Sequence, residues 1–241
     1  MANIQRLPLT LAAARNMLLA CLVVLGGCAH QLQEPANGQP ALEQAIAWYT
    51  GEAGTVDDPK ARALLESVQE TGNPLAIMWL ARVYSTGRMT YPADKAKAVA
   101  IAETVIAAVE QLARDGNPEA AFLLGTAWAE GLGKPVDPQE AVIWYRKAAE
   151  TGHTLGAHNL GNVYASGTGV EPDAAEAARW WLVAATAGDA IPQFRLAEFL
   201  EQGRGVDRNQ AQARYWYENA ARRGNANAQA ALERLNRLIP Q

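Results

Sequence analysis

Few residues of this 241-residue sequence have side chains suited to metal or nucleophilic chemistry. The histidines are His30, His153 and His158, and the five-residue step between the last two places them about 140° apart on a helix, which argues against a shared metal ion. Both cysteines, Cys21 and Cys28, lie in the first 28 residues. The remaining chain therefore has no thiol for a disulfide, a metal ion or nucleophilic attack.

The serines and the glycine-rich loops also lack the surroundings of a catalytic or phosphate-binding site. After Cys28 the serines are Ser67, Ser85 and Ser166, and none stands in a G-x-S-x-G or S-x-x-K motif. The recurring G-x-G elements have neither the third glycine of a dinucleotide-binding loop nor the GK[ST] of a phosphate-binding loop. We expect no active site and no cofactor, and the sequence argues against a small-molecule substrate.

Two further patterns resemble functional sites but have simpler explanations. Asp137 and Glu140 could form a catalytic acid pair, yet their spacing at the start of a predicted helix is typical of helix capping. Trp144, Trp180 and Trp216 could form a row that stacks on sugars. Because they recur at a constant step within apolar stripes, we interpret them as core residues.

The elements that carry these residues repeat along the chain. Gly131 recurs at Gly167 and Gly203, a step of 36 residues, and such a period predicts a helical solenoid. With 49% hydrophobic residues the chain can bury a core. We predict an all-α solenoid of five helix-turn-helix repeats and a C-terminal capping helix. The units are unit 1 (37–72), unit 2 (73–116), unit 3 (117–152), unit 4 (153–188) and unit 5 (189–224), and the capping helix lies within 225–241.

Each unit is predicted to contain two helices joined by a glycine-containing loop. In unit 3 the first helix follows the N-cap Asn117 and ends at Gly131, and the second follows Asp137 and ends near Gly152. Gly125 lies inside the first helix, where it weakens helix formation. We therefore predict that the second helix approaches closely at Gly125 and that a leucine there overpacks the contact.

Unit 2 departs from the regular period. It is eight residues longer than its neighbours, and the extra residues follow Asp94 in a run without glycine or proline until its end. We predict two additional turns in its second helix.

These motifs, A-x-x-L-G-x-x-W/Y, the G-x-G loop, the capping aspartate and W-Y/W-x-x-A-A-x-x-G, resemble the Sel-one-like repeat family, a relative of the tetratricopeptide repeats. The resemblance is strong over 117–224 and weaker over 37–116. It implies a right-handed α-solenoid that serves as a protein-binding scaffold, as in bacterial envelope adaptors that include the lipoprotein scaffold of alginate export. A cysteine-rich branch was linked to β-lactam hydrolysis, and the absence of cysteine from the repeats argues against that branch.

Three positions of the first helices differ in character between units. In the related tetratricopeptide repeats they line the concave groove, so the resemblance implies that they contact a partner here. The alternative is that Phe122 and Phe194 only fill the contact between neighbouring repeats. The candidate positions are Leu75, Met78, Arg82, Glu119, Phe122, Thr126, Leu155, His158, Asn162, Ile191, Phe194 and Glu198.

The N-terminal segment is predicted to be a secretory signal. Residues 1–27 contain two arginines, no acidic residue and an apolar run at 17–25 that is too short for a stable membrane span. The block L-G-G-C that ends at Cys28 resembles the bacterial lipobox, which implies lipid attachment to Cys28 and a polar tether over 28–36. The alanine after Cys28 suggests the outer membrane. The alternative is an ordinary signal peptide that happens to contain a cysteine.

Charge excludes one class of partner. Removal of residues 1–27 leaves 19 basic and 25 acidic side chains, so we expect no nucleic-acid binding. Residues 189–241 nevertheless hold eight basic and six acidic side chains. This excess indicates either a soluble end cap or a basic docking surface.

Taken together, these features predict a non-enzymatic scaffold, anchored by lipid to the outer membrane of a Gram-negative bacterium and facing the periplasm. Its expected partners are envelope proteins bound in the groove and the membrane itself. A narrower hypothesis is a scaffold of an exopolysaccharide export or secretion system of the alginate type, and another is a regulatory or inhibitory lipoprotein. The competing class is a hydrolase of peptidoglycan or β-lactams, which the missing catalytic residues argue against.

Overall fold

The computed structural model describes residues 38–237, which form eleven α-helices and no β-strand. The predicted signal segment, Cys28 and the tether lie outside the described residues. The all-α repeat fold predicted from the period is confirmed. The helices are α1 Gln39–Thr50, α2 Asp58–Gln69, α3 Pro74–Thr86, α4 Lys95–Arg114, α5 Pro118–Glu130, α6 Pro138–Glu150, α7 Thr154–Ser166, α8 Ala174–Ala187, α9 Ala190–Gln202, α10 Gln210–Arg222 and α11 Ala226–Arg237.

Consecutive helices pack against each other along the whole described chain. We call α1, α3, α5, α7 and α9 the A helices and α2, α4, α6, α8 and α10 the B helices. One A helix and one B helix fall within each predicted unit, and α11 follows α10. Each helix thus covers the apolar face of the helix before it, which a single pair could not do alone.

Helix boundaries in unit 3 follow the predicted capping residues. The Asn117 side chain accepts a hydrogen bond from the Ala120 amide at 2.9 Å, and Gly131 ends α5 with a φ of 69°. The Asp137 side chain accepts from the amides of Gln139 and Glu140, each at 3.0 Å. Asp137, the first member of the acid pair, is therefore the N-cap residue of α6, as the spacing predicted.

One feature of these caps differs from a capping box, in which the Glu140 side chain would accept from the Asp137 amide. The amide of Asp137 donates to the Trp128 carbonyl of α5 at 2.9 Å and not to the Glu140 side chain. The same bond joins Asp173 to the Tyr164 carbonyl, also at 2.9 Å. Each bond ties the start of a B helix to the A helix of its own unit, which fixes the geometry of the pair.

Glycines inside the A helices allow the B helices to approach, as predicted. A Cβ atom on Gly125 would lie 2.7 Å from the Tyr145 ring of α6. The equivalent atom on Gly161 would lie 2.4 Å from the Trp181 ring of α8. Both distances are too short for a normal carbon contact, so these positions exclude any larger residue unless the aromatic ring moves.

The long helix α4 confirms the predicted extension of unit 2. It has 20 residues, whereas α6 has 13. The loop glycine Gly169 contacts Pro138, the first residue of α6, but its equivalent Gly133 contacts Glu103 and Ile106 well inside α4. The additional turns of α4 are therefore at its N-terminal end.

The tryptophan row belongs mainly to the core. Trp144 and Trp180 are buried, and Trp216 is half-buried and packs against the core from its edge. This burial supports the interpretation of the row as a repeated core stripe.

The first unit returns onto the last two units. The loop between α1 and α2 donates a hydrogen bond from the Val56 amide to the Arg223 carbonyl at the end of α10, at 3.3 Å. In the same loop, Glu52 lies against the end of α8, because a Cβ atom on Gly188 would be 3.5 Å from the Glu52 Cα atom. Because each repeat is rotated slightly relative to the previous one, five repeats bring the two ends of the solenoid into contact.

Candidate functional site

The structure divides the candidate groove positions into two sets. The buried set, whose residues are exposed by 9% or less, is Leu75, Met78, Glu119, Phe122, Thr126 and Leu155. These residues are not accessible to a partner in this structure, and their predicted role in direct recognition is corrected accordingly. The half-buried or exposed set is Arg82, His158, Asn162, Ile191, Phe194 and Glu198.

Phe122 illustrates why the groove positions become buried. Its side chain is fully buried, with ring centroids 5.7 Å from Trp79 of unit 2 and 5.2 Å from His153 of unit 4. Phe122 therefore fills the contact between neighbouring repeats, which was the alternative interpretation. Phe194 occupies the same position in unit 5 but is only half-buried, 5.8 Å from the Tyr217 ring.

Glu119 connects three successive units through buried hydrogen bonds. One carboxylate oxygen accepts from the Trp79 indole at 2.6 Å, and the other lies 2.8 Å from His153 Nε2. His153 Nδ1 accepts from the Gly156 amide at 3.1 Å, so the proton is on Nε2, which donates to Glu119. Glu119 and His153 thus hold repeats together, and neither is left free for recognition or catalysis.

His158 makes a comparable contact between units 4 and 5. Its Nδ1 atom lies 2.7 Å from the buried carboxylate of Asp189, which also caps α9 by accepting from the Ile191 amide at 3.0 Å. Sequence reasoning missed Asp189. The sequence did contain a signal: the equivalent N-cap position is Asn117 in unit 3 and His153 in unit 4, and only unit 5 has an acidic residue there.

The described residues contain neither a metal-binding cluster nor a helix that could span a membrane. Within residues 38–237, no group of three or more His, Cys, Asp or Glu side chains is arranged to hold a metal ion. Of the helices in the same range, none combines the length and apolar character needed to cross a bilayer.

Arg82, from the half-buried or exposed set, lies among three aromatic rings. Its guanidinium lies 5.3 Å from the Tyr49 ring, 4.8 Å from the Trp79 ring and 5.3 Å from the Phe122 ring. Nη1 donates to the Tyr49 hydroxyl at 3.1 Å, and the buried Nε atom has no hydrogen-bond partner among the described residues. Arg88 also lies over the Tyr49 ring, at 4.8 Å.

A cleft between α7 and α9 contains two other candidates, Asn162 and Glu198. It has a volume of about 340 Å³, with Trp181 of α8 among its lining residues. The Trp181 indole donates to the Asn162 side chain at 3.1 Å, and Glu198 pairs with Arg195 at 3.0 Å. Both candidates therefore have partners within the chain, although the cleft is open to solvent.

A larger cleft lies where the long α4 helix faces unit 1. It has a volume of about 530 Å³ and includes Tyr84 and Tyr91, whose ring centroids are 4.8 Å apart. Lys97 donates to the Tyr84 hydroxyl at 2.8 Å, and Tyr91 donates to Glu66 at 2.8 Å. The additional turns of α4 build one wall of this cleft, but its charged groups are satisfied internally.

The paired helices, the repeated caps and the close contacts at Gly125 and Gly161 define an α-solenoid repeat protein. The Sel1 repeat profile matches four segments that together exceed half of the chain, so the chain belongs to the Sel1 repeat family. The matched segments are 74–103, 118–153, 154–189 and 193–225. Proteins of this family generally mediate protein–protein interactions and are not typically enzymes.

Three solved structures are similar to this chain, and the first of them supports the same assignment. A Sel1 repeat protein from Oxalobacter formigenes is 34% identical over 53% of this chain and 96% of its own, with a TM-score of 0.51. The protective antigen c5321 of uropathogenic Escherichia coli is 28% identical over 82% of this chain and 48% of its own, with a TM-score of 0.36. Cysteine-rich protein B of Helicobacter pylori is 23% identical over 54% and 94%, with a TM-score of 0.44. Among curated proteins, no sequence matches.

Proposed function

We propose that this protein is a non-enzymatic scaffold that binds another protein of the cell envelope. The observation that carries the proposal is the match of four consecutive Sel1 repeats, which form one continuous solenoid. The polar pairs Glu119–His153 and Asp189–His158 support it, because they link repeats and leave neither histidine as a free base. A surface built from many repeats suits contact with an extended partner.

The second part of the proposal concerns where the scaffold is located in the cell. The L-G-G-C block supports cleavage before Cys28, lipid attachment to that cysteine and retention at the outer membrane. The first described helix begins at Gln39, so an extended tether of about 37 Å at most would separate lipid and solenoid. The solenoid would then capture its partner close to the membrane surface.

The anchor is tested by replacing the cysteine. Cys28→Ser is expected to move the protein from the membrane fraction to the soluble periplasmic fraction, because the acyl chains that hold it are lost. Cys21→Ser is the matched control and should leave the protein in the membrane fraction. Fractionation followed by immunoblotting measures both, and membrane retention of the Cys28→Ser variant would contradict the anchor.

The scaffold role is tested by photocrosslinking in cells. A photoreactive residue at the exposed Ile191 is expected to capture a defined envelope protein, whereas one at Glu103, on the exposed face of α4, serves as a control. The identity of the captured protein also decides between an export complex of the alginate type and regulation of an envelope enzyme. Equal capture from both positions would argue against a specific surface.

A further inference from the structure

Arg82 carries a positive charge that no carboxylate of the described chain pairs with directly, and Glu130 favours the charged form only through a longer-range electrostatic interaction. Its side chain is half-buried, and no carboxylate within residues 38–237 lies within 4.0 Å of its nitrogen atoms. By comparison, the more exposed Arg179, Arg195 and Arg234 each pair with a glutamate at 3.0 Å or less. A charge removed from water without a partner is unfavourable, so an unpaired guanidinium inside a contact between repeats requires an explanation.

The aromatic rings explain only part of the arrangement. A guanidinium has five N–H donors, and among the described residues Arg82 uses one, toward the Tyr49 hydroxyl. Rings from units 1, 2 and 3 surround the group and hold its plane in a fixed orientation. The remaining Nη donors are therefore oriented before any partner arrives, which favours two-point recognition of a carboxylate.

The surrounding charges leave this region positive. Arg88, which also lies over the Tyr49 ring, and Lys95 have no carboxylate within 4.0 Å in the described chain. The nearest acidic group is Glu130, which accepts a hydrogen bond from the Ser85 hydroxyl at 2.6 Å, while Lys95 donates to the same hydroxyl at 3.1 Å. We call Tyr49, Arg82, Arg88 and Lys95 the cationic patch.

Glu119 makes no ion pair with the cationic patch. Its two carboxylate oxygens face Trp79 and His153 instead. The groups equivalent to Arg82 in units 3, 4 and 5 are Thr126, Asn162 and Glu198, none of which is cationic. The patch is therefore a property of the first two units and not of the repeat in general.

We propose that the cationic patch binds the side-chain carboxylate of an aspartate or glutamate in an extended segment of the partner protein. This inference rests on the proposed scaffold function and specifies which chemical group of the partner is recognised. The argument is charge complementarity: a preoriented, unpaired arginine flanked by aromatic rings has the properties of a binding hot spot. Arg82 forms the two-point contact, and Arg88 adds attraction from the more open side.

The test uses selection from a random dodecapeptide library on the purified full chain in detergent. We expect the selected peptides to be enriched in aspartate or glutamate at one position. A synthetic selected peptide should bind about tenfold more weakly when that acidic residue is replaced by its amide. With Arg82→Met, the acidic peptide and its amide should bind equally, because the group that distinguishes them is absent.

Two further variants separate recognition from folding. Arg82→Met retains the length of the side chain, and its melting temperature shows whether the contact between repeats survives. If it does not, Arg88→Gln provides the second test, because Arg88 packs against only one of the three rings. Arg114→Gln is the control, since Arg114 is exposed and paired with Glu110 on α4.

Several results would overturn the inference. These are selection of no peptide, selection without acidic enrichment, a requirement for a free carboxyl terminus, and binding unaffected in folded Arg82→Met and Arg88→Gln proteins. Crosslinking from Ile191 distinguishes this failure from failure of the scaffold role. If Ile191 still captures a partner, only the carboxylate inference is wrong.

Discussion

At the scale of single residues, polar side chains in this solenoid mostly connect repeats. Glu119 is the main example, because it is 9% exposed and bonded to both Trp79 and His153. Sequence comparison of the units identified Glu119 as different from its equivalents but interpreted the difference as recognition. Its burial shows that a residue found in only one unit can serve to bind side chains of the adjacent units and not a partner.

Loss of the Glu119 carboxylate is expected to destabilise the protein. Glu119→Ala leaves the Trp79 indole and His153 without their buried acceptor, and the free energy of unfolding should fall by about 1–3 kcal/mol. Chemical denaturation measures the change. Glu103→Ala, at an exposed position of α4, should have almost no effect, and equal stability of the two variants would contradict the proposed link between repeats.

Glu52 gives a pH-dependent prediction. Glu52 is exposed over much of its surface, but desolvation of its carboxylate still raises its pKa; the Thr154 hydroxyl partly offsets the increase, and the nearby Asp189 charge adds to it. The folded protein therefore disfavours the ionised carboxylate, so stability from this group is present at low pH and is lost as pH rises through the raised pKa. Glu52→Gln should raise the melting temperature near neutral pH.

The same substitution should have little effect at about pH 4, where Glu52 is largely protonated in both states. Glu103→Gln is the matched control, and thermal unfolding at the two pH values measures the difference. A melting temperature that Glu52→Gln leaves unchanged near neutral pH would show that the carboxylate remains fully hydrated.

At the scale of elements, each A helix and B helix pair is fixed by two kinds of contact. The amide of the B-helix cap bonds to a carbonyl of the A helix, as from Asp137 to Trp128. A glycine in the A helix admits the aromatic ring of the B helix, as Gly125 admits Tyr145. The first contact fixes where the pair begins, and the second fixes how closely the helix axes approach.

Gly125→Leu tests the close approach. A Cβ atom at this position would already lie 2.7 Å from the Tyr145 ring, so leucine must displace α6. We expect the free energy of unfolding to decrease by about 1–3 kcal/mol, measured by denaturation. Ala107→Leu on the exposed face of α4 is the control, and a melting midpoint unchanged by Gly125→Leu would contradict the packing argument.

At the scale of the whole molecule, the solenoid is closed by contact between its first and last units. Val56 donates to the Arg223 carbonyl, and Glu52 lies against Gly188 at the end of α8. The cationic patch, which lies in units 1 and 2, is therefore part of a solenoid whose two ends are in contact.

A disulfide can report this closure in solution. A Cβ atom on Gly51 would lie 3.7 Å from the Arg223 Cβ atom, which is within the range for a disulfide, although the φ of 88° at Gly51 costs a cysteine about 1–2 kcal/mol. Gly51→Cys with Arg223→Cys, in a Cys21→Ser and Cys28→Ser background, should form an intramolecular crosslink on oxidation. Non-reducing electrophoresis detects it, and each single cysteine variant is the control. Absence of the crosslink would indicate that the ends are apart.

The sequence by itself determined the period, the helix caps, the extension of α4 and the need for a small residue at Gly125. These features depend on local backbone chemistry or on contacts within one repeat, which recur at a fixed spacing and are therefore visible along the chain. The lipid anchor and the identity of the partner stay predictions, because the described residues do not include Cys28.

Only the tertiary structure decided which groove positions are accessible. Phe122 and Phe194 occupy equivalent positions, yet Phe122 lies between units on both sides and is buried, whereas Phe194 lies near the end of the array and is half-buried. Closure of the solenoid was equally hidden, because it is the sum of small rotations between repeats. Burial and closure depend on contacts between residues that are distant in the sequence, and such contacts cannot be predicted from a repeating pattern.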